Sequence, residues 1–194
     1  KSMDKGGQYS LLRKLGSGGV GEVWVGENAI RQVANKVFKP KEENLASFIG
    51  ESGSDSQALP ILRERFLNEA KILADLEANP HIISVYEFGE LEDGSPYYVM
   101  PYLPHSLADL LGKDVYDAAA IAELDEADRP RGLPLKVALR YIEQLLIGLS
   151  AAHERGLIHR DIKPSNVMLT EDDQIRLVDF GIAKAPDSQH SISQ

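Results

Sequence analysis

The stretch His159-Arg160-Asp161-Ile162-Lys163-Pro164-Ser165-Asn166 decides how this chain is read. It holds a carboxylate (Asp161), an ammonium (Lys163) and a carboxamide (Asn166) within one short run. A second short signature, Asp179-Phe180-Gly181, follows. Between the two, Val167-Met168-Leu169 and Ile175-Arg176-Leu177-Val178 read as a hairpin turning through Glu171-Asp172-Asp173, which sets Asp179 beside the loop. Carboxylate and amide oxygens suit a hard divalent cation, and a fixed lysine suits a phosphate. Behind a Gly-rich strand-turn at Gly16-Ser17-Gly18-Gly19-Val20-Gly21, the set points to phosphoryl transfer from a nucleotide.

Composition narrows the alternatives. The 194 residues are 43% hydrophobic and 26% charged, as in an ordinary globular protein. A net charge of −9 repels nucleic acid, which is therefore not an expected partner. An acidic chain that binds a polyanionic nucleotide needs local devices: backbone N–H groups, a placed lysine and metal ions. The absence of cysteine excludes disulfides and thiolate metal sites. No apolar run approaches the roughly 18 residues of a membrane span, no signal peptide is visible, and a cytoplasmic setting is expected. Lys1-Ser2, ahead of Met3, are set aside from fold reasoning.

Residues Tyr9 to Leu15 read as a strand entering the Gly-rich turn, and Glu22 to Gly26 as the returning strand. A dinucleotide fingerprint would open a helix after its glycines; a strand follows here, so the turn reads as a flap over a nucleotide. The next strand, Gln32 to Phe38, alternates, with Ala34, Lys36 and Phe38 on one face and Val33, Asn35 and Val37 on the other. Residues 41–60, rich in Gly and Ser, read as a flexible loop. A helix then starts near Ile61 and aligns Phe66, Ala70, Leu73 and Leu76. Glu69 adjoins that stripe and is the partner expected for Lys36, with Glu64 as the alternative. Ile82 to Phe88 and Tyr97 to Met100 read as paired strands, and Pro101-Tyr102-Leu103-Pro104 as a hinge. Ser106 is placed to cap a short helix. Six acids between Asp114 and Arg131 mark an exposed insertion. Leu135 to Glu154 is an amphipathic helix with Leu135, Ala138, Leu139, Ile142, Leu146 and Leu149 on one side, ended by Gly156.

On the Gly-rich turn, Val33-Ala34-Asn35-Lys36, His159–Asn166 and Asp179-Phe180-Gly181, the chain from Tyr9 to about Ser193 resembles the eukaryotic-like Ser/Thr protein kinases found in bacteria. The resemblance implies an α+β, bilobal protein-kinase-like fold. Residues 1–103 would form a complete N-lobe and hinge, with a five-stranded sheet, one main helix and an inserted loop at 41–60. Residues 104–194 would form a partial, mainly helical C-lobe holding the acidic insertion (114–131), the catalytic loop (159–166) and the start of the activation loop (179–194). The resemblance further implies ATP with Mg²⁺, or Mn²⁺ in its place, and a Ser/Thr hydroxyl of a protein as acceptor, including the chain's own activation loop.

The resemblance also assigns roles. Gly16, Ser17, Gly18, Gly19 and Gly21 would cover the phosphates, and Val23 and Ala34 would enclose the adenine. Lys36 would hold the α/β-phosphates and pair with Glu69. Met100 would be the gatekeeper, the backbones of Pro101 and Leu103 would meet adenine, and Met168 would form the pocket floor. Asp161 would accept or orient the substrate hydroxyl proton, Lys163 would neutralise the transferred phosphoryl, and Asn166 and Asp179 would bind the metal. The Lys163 and Ser165 context resembles the Ser/Thr class. Arg160, with Lys184, would receive a phosphate on Ser188, Ser191 or Ser193.

Three departures from the family pattern stand out. Asn35 replaces an apolar residue, with little harm expected on the face opposite Lys36. The separation of Lys36 from Glu69 is long. Past Gly181 there is no Ala-Pro-Glu motif and no later large-lobe helix, so the apolar side of the 135–154 helix is expected to lack cover and to offer a face for a second copy or another partner. Two function classes stay open: an active kinase, and a catalytically silent nucleotide-binding and interaction module.

Overall fold

The computed structural model describes residues 5–18, 20–42, 45 and 55–180. Among them, β1 (Lys5–Gly6), β2 (Tyr9–Ser17), β3 (Gly21–Glu27), β4 (Gln32–Phe38), β5 (Glu87–Glu90) and β6 (Pro96–Pro101) form one antiparallel sheet ordered β1-β2-β3-β4-β6-β5. The two-residue β1 adds to the five strands anticipated. Register sets Lys36 directly across from Val23 on β3 and from Tyr98 on β6.

Both faces of β4 are covered, which is why Val33 to Phe38 are all buried. Ala34 and Phe38 join the main core, whereas Val33 and Val37 join Tyr9, Tyr97 and Val99 in a smaller one. The sheet curls around that smaller core until its two edges meet. There Gln8 Nε2 donates to Glu87 Oε2 at 3.3 Å. Gly7 adopts φ +65°, and a Cβ on it would lie 2.3 Å from the Glu87 carboxylate, so a side chain would be excluded twice over.

The main core is sealed by α1 (Asp55–Asp75). This helix begins earlier than the expected start near Ile61 and carries Pro60 inside it, so the loop reading of residues 41–60 is corrected over its last part. Packing explains the difference. Ala58 and Leu62 extend the stripe of Phe66, Ala70 and Leu73 by about two turns, and all five are essentially inaccessible. Burial of a large apolar side chain contributes about 1.5–3 kcal/mol, enough to offset a proline near a helix start. Phe66 stands edge-on to Phe38 and tilted against Tyr98, with ring centroids 5.6 and 5.3 Å away.

A second sheet, β7 (His105–Ser106), β8 (Val167–Leu169) and β9 (Ile175–Leu177), lies beyond the hinge. The strand expected over Ile82–Phe88 divides between the two sheets. Ile82 bridges Leu177 in parallel and Ile83 N–H donates to the Leu177 carbonyl at 3.0 Å, whereas Tyr86 N–H donates to the Val99 carbonyl at 2.7 Å and Glu87–Glu90 pairs with β6. The segment thus ties the sheets together. Ser106 caps α2 (Leu107–Leu111) through a reciprocal capping box with Asp109. Asp117 caps α3 (Ala118–Ala122). The acidic insertion is more ordered than its charge suggests. The Arg131 guanidinium donates to the carbonyls of Asp109, Leu110, Glu126 and Ala127 at 2.8 to 3.3 Å.

In α4 (Leu135–Glu154) the inward face is Tyr141, Gln144, Gly148 and Ala152. Gly148 permits a close approach, since a Cβ there would lie 3.0 Å from the His81 carbonyl. Gln144 accepts from the Ile175 N–H at 3.0 Å and so grips β9. The leucine-rich side points outward, with Leu135 74% and Leu146 59% exposed. Gly156, at φ +75°, terminates the helix as expected.

Asn35 requires a correction. It is 0% exposed within the smaller core, across from Trp24 and Val99, and neither amide atom has a hydrogen-bond partner. Gly26 makes room for it; a Cβ there would fall 2.3 Å from Asn35 Nδ2. An unpaired buried amide costs about 1–3 kcal/mol, so the residue is not harmless. Replacing it (Asn35→Val) is expected to raise the unfolding free energy in urea by about 1–2 kcal/mol. Equal or lower stability would contradict this account.

Candidate active site

Between the two sheets lies a cleft of about 420 Å³. From the first sheet it is lined by Gly16, Ser17, Gly18, Gly21, Val23, Ala34, Lys36, Met100 and Pro101; from the connection, by Leu103; from below, by Asp161, Lys163, Asn166, Met168 and Asp179. Gly19 of the cofactor set lies outside the described residues. So do Gly181, Lys184, Ser188, Ser191 and Ser193. Arg160 is exposed.

The glycines differ in what requires them. Gly21 serves strand packing, because a Cβ would meet the Val37 carbonyl at 2.5 Å. Gly16 and Gly18 face open space, with nothing within 4 Å of an added Cβ. Gly18 N–H donates to the Gly21 carbonyl at 2.8 Å and closes the turn over the cleft.

Lys36 projects from β4 to the back of the cleft, where Nζ lies 3.0 Å from Glu69 Oε1 and 3.0 Å from Asp179 Oδ1. Glu69 is 1% exposed on the inner side of α1, whereas Glu64 points outward. Tyr98 donates its hydroxyl to the same Glu69 oxygen at 2.8 Å. Burial works against the Lys36 ammonium, but Glu69, Tyr98 and Asp179 outweigh it and hold it well above its usual range. Burial lifts the Glu69 carboxyl, opposed by Lys36 and Tyr98. An ammonium 3.0 Å from two carboxylates makes the charged pair the governing state.

The lower side of the cleft is fastened by side chains onto backbone. His159 is 1% exposed; its Nε2–H donates to the Val178 carbonyl at 2.8 Å, and its Nδ1 accepts from Asp161 N–H at 3.2 Å. That pattern requires a neutral ring, and burial depresses its pKa. Phe180 packs on the imidazole, 4.5 Å between centroids. Asn166 Nδ2 donates to the Asp161 carbonyl at 2.9 Å and to Asp161 Oδ2 at 3.1 Å. Lys163 Nζ lies 3.4 Å from the same Oδ2. Arg160 and Asp179 hold φ of 61° and 57°, a left-handed conformation that costs a non-glycine residue on the order of 1 kcal/mol.

Sequence reasoning missed several lining residues, among them Leu15, Val20, Ile83, Asp109 and Val178. It also missed Tyr98, which lies behind the cleft. Cross-strand register could have found Tyr98: it faces Lys36 across β4 and β6 and so shares its side of the sheet.

A glycine flap, a buried Lys–Glu pair and an Asp-Lys-Asn loop around one cleft define a nucleotide-site architecture. The protein kinase domain family matches residues 9–194, and the chain belongs to that family. It is 35% identical to the serine/threonine-protein kinase pkn2 of Myxococcus xanthus over 97% of its length, which is 20% of that protein. To PrkC of Bacillus subtilis it is 33% identical over 92% of its length and 23% of the relative's. The crystal structure of the Mycobacterium tuberculosis PknI kinase domain superposes with a TM-score of 0.58 at 30% identity, over 93% of this chain and 61% of that one. The chain thus spans about a fifth of these curated relatives and about three-fifths of a solved kinase domain. No described helix is long and apolar enough to cross a membrane.

The neutral, buried His159 gives a testable pH effect. A histidine depressed below its usual 6.5 stabilises the fold above that pH and loses the contribution as pH falls through the folded value. Urea unfolding at about pH 7.5 and about pH 5.5 should show wild type weakening on acidification. His159→Gln should be less stable at the higher pH and lose less on acidification; an equal loss in both proteins would refute the assignment.

Proposed function

We propose that this chain supplies the nucleotide-binding and catalytic residues of an ATP-dependent Ser/Thr protein kinase, acting on protein hydroxyls that include its own activation loop. One observation carries the reading: Lys36, fixed between Glu69 and Asp179, faces across the cleft toward an Asp161–Lys163–Asn166 cluster. The residues fit a magnesium nucleotide. The open space above Gly16 and Gly18 leaves the flap able to admit phosphates, and the 42% exposed Asp179 side chain offers a carboxylate to a cation.

When bound, ATP supplies the transferred phosphoryl, and Mg²⁺ (or Mn²⁺) neutralises its charge. Asn166 and Asp179 would hold the metal. Lys36 would hold the α/β-phosphates, its ammonium kept charged and placed by Glu69. Ala34, Val23, Met100 and Met168 would enclose the base, with the Pro101 carbonyl and the Leu103 N–H along its edge. Asp161 would take the hydroxyl proton on its carboxylate, and Lys163 would screen the phosphoryl. Positioning and charge compensation do most of this chemistry, since the protein supplies no nucleophile of its own. Phosphate on Ser188, Ser191 or Ser193 would be received by Arg160 and Lys184. A cytoplasmic setting, where magnesium nucleotide is available, fits this use.

A second reading draws on the outward Leu135, Leu139, Ile142 and Leu146. An apolar stripe of this kind marks a contact face for further protein, including a second copy. On that reading the chain is a silent nucleotide-binding module.

Radiolabel transfer from Mg-ATP to the chain itself and to a generic basic protein separates the two. The active-kinase reading expects Asp161→Asn to lose at least about a hundredfold in rate, with Mg-ATP still raising the Tm of both proteins. Equal labelling by both, with the Tm rise intact, selects the module. Neither labelling nor a Tm rise would end both readings.

A further inference from the structure

We propose that Tyr98 is a positioning residue, whose hydroxyl locks Glu69 onto the sheet and thereby fixes the ammonium of Lys36. The geometry is specific. Glu69 Oε1 accepts from both Lys36 Nζ at 3.0 Å and Tyr98 Oη at 2.8 Å, whereas Oε2 is buried with no hydrogen-bond partner. All recorded anchoring of this carboxylate therefore falls on one oxygen, and Tyr98 is its one neutral donor among the described residues. The donor is placed by strand register, directly opposite Lys36, and is itself 1% exposed.

The ring is fixed independently of its hydroxyl. It packs against Phe66, and Lys36 Nζ lies 5.6 Å from its centroid. Removing the oxygen alone should leave the ring in place and free the carboxylate to turn. Hydrogen bonds to charged groups are the stronger class, so losing one of two anchors shifts how long Glu69 stays on Lys36. The hydroxyl also belongs to a chain that runs Tyr98–Glu69–Lys36–Asp179, from the back of the cleft to its open side. Tyr98 does not itself line the cleft, and its hydroxyl acts through Glu69. Its consequence for catalysis rests on the kinase reading; its effect on Lys36 does not.

The test reads Lys36 directly and needs no nucleotide. Each lysine of the chain is acylated with a small succinimidyl ester, and site-specific rates are measured by peptide mass spectrometry. With the hydroxyl gone (Tyr98→Phe), Lys36 should label about tenfold faster, the change that accompanies one unit in an amine's pKa. Other lysines should be unchanged. Glu69→Ala should label at least as fast, and adding Y98F to E69A should change nothing more. Unaltered Lys36 labelling in Y98F overturns the proposal. So does a uniform rise at all lysines, which would show the hydroxyl to be structural, and so does a further rise in the double variant. If Lys36 responds as expected but no phosphoryl transfer is found in wild type, the kinase reading fails while the lock stands.

Discussion

The structure depends on keeping one ammonium charged inside a dry interior. Lys36 is 5% exposed and Glu69 1%, so each would be severely penalised without the other. That requirement dictates the arrangement around them. α1 must lie flat on the sheet with Glu69 inward, and Ala58, Leu62, Phe66, Ala70 and Leu73 supply the apolar burial that holds it there. β6 must sit beside β4 in the register that brings Tyr98 opposite Lys36. Asp179, arriving from the second sheet, completes the set and makes Lys36 a tie between the two halves of the cleft. The aromatic contacts of Phe66 with Phe38 and Tyr98 are the apolar side of the same joint.

Much of this was legible in the sequence because it is local. Period-two alternation placed Lys36 on one face of β4, and helical periodicity set Glu69 beside a stripe of Phe66, Ala70 and Leu73. The loop at 159–166 is a contiguous motif, so its chemistry can be read without knowing the fold. What escaped is non-local. The Gly- and Ser-rich run at 41–60 reads as loop, and only the packing of Ala58 accounts for a helix that reaches back past Pro60. The Ile82–Phe88 run alternates like one strand, but its first residues bond to β9, a partner ninety-odd positions away. Tyr98 looked like one more aromatic in a strand until register set it against Lys36. Arg131 looked like the end of a charged insertion and proves to be its clamp.

α4 shows the limit of periodicity more sharply. The leucine-rich side is the obvious core face, yet the fully buried residues, with Val137, Leu145 and Leu149 partly buried beside them, are Tyr141, Gln144, Gly148 and Ala152. Their value is shape and hydrogen bonding rather than hydrophobicity. Gly148 lets the helix approach the His81 carbonyl, and Gln144 donates to Gln174 at 2.6 Å while accepting from Ile175 N–H. Tyr141 and Arg140 both reach the Asp173 carboxylate in the β8–β9 turn. A helix can thus bury a face centred on Gln144 and Gly148 while Leu135, Leu139, Ile142 and Leu146 stay outside.

The same grip bears on the rigidity of the 159–166 loop. The structure shows a brace made of the chain's own groups: His159 and the Asn166 backbone carbonyl both bond to residue 178, and Asn166 bonds back to Asp161. Residue 178 follows β9, which α4 grips through Gln144. The path from α4 to Asp161 therefore runs through hydrogen bonds at Ile175, Val178 and Asn166, joined by the covalent backbone from 175 to 178. The left-handed φ of Arg160 and Asp179 can persist because this path over-determines them. The strained backbones at Arg160 and Asp179, and the neutral His159 that bonds to both Val178 and Asp161, are parts of one device, which aims Asp161 and Asp179 into the same cleft.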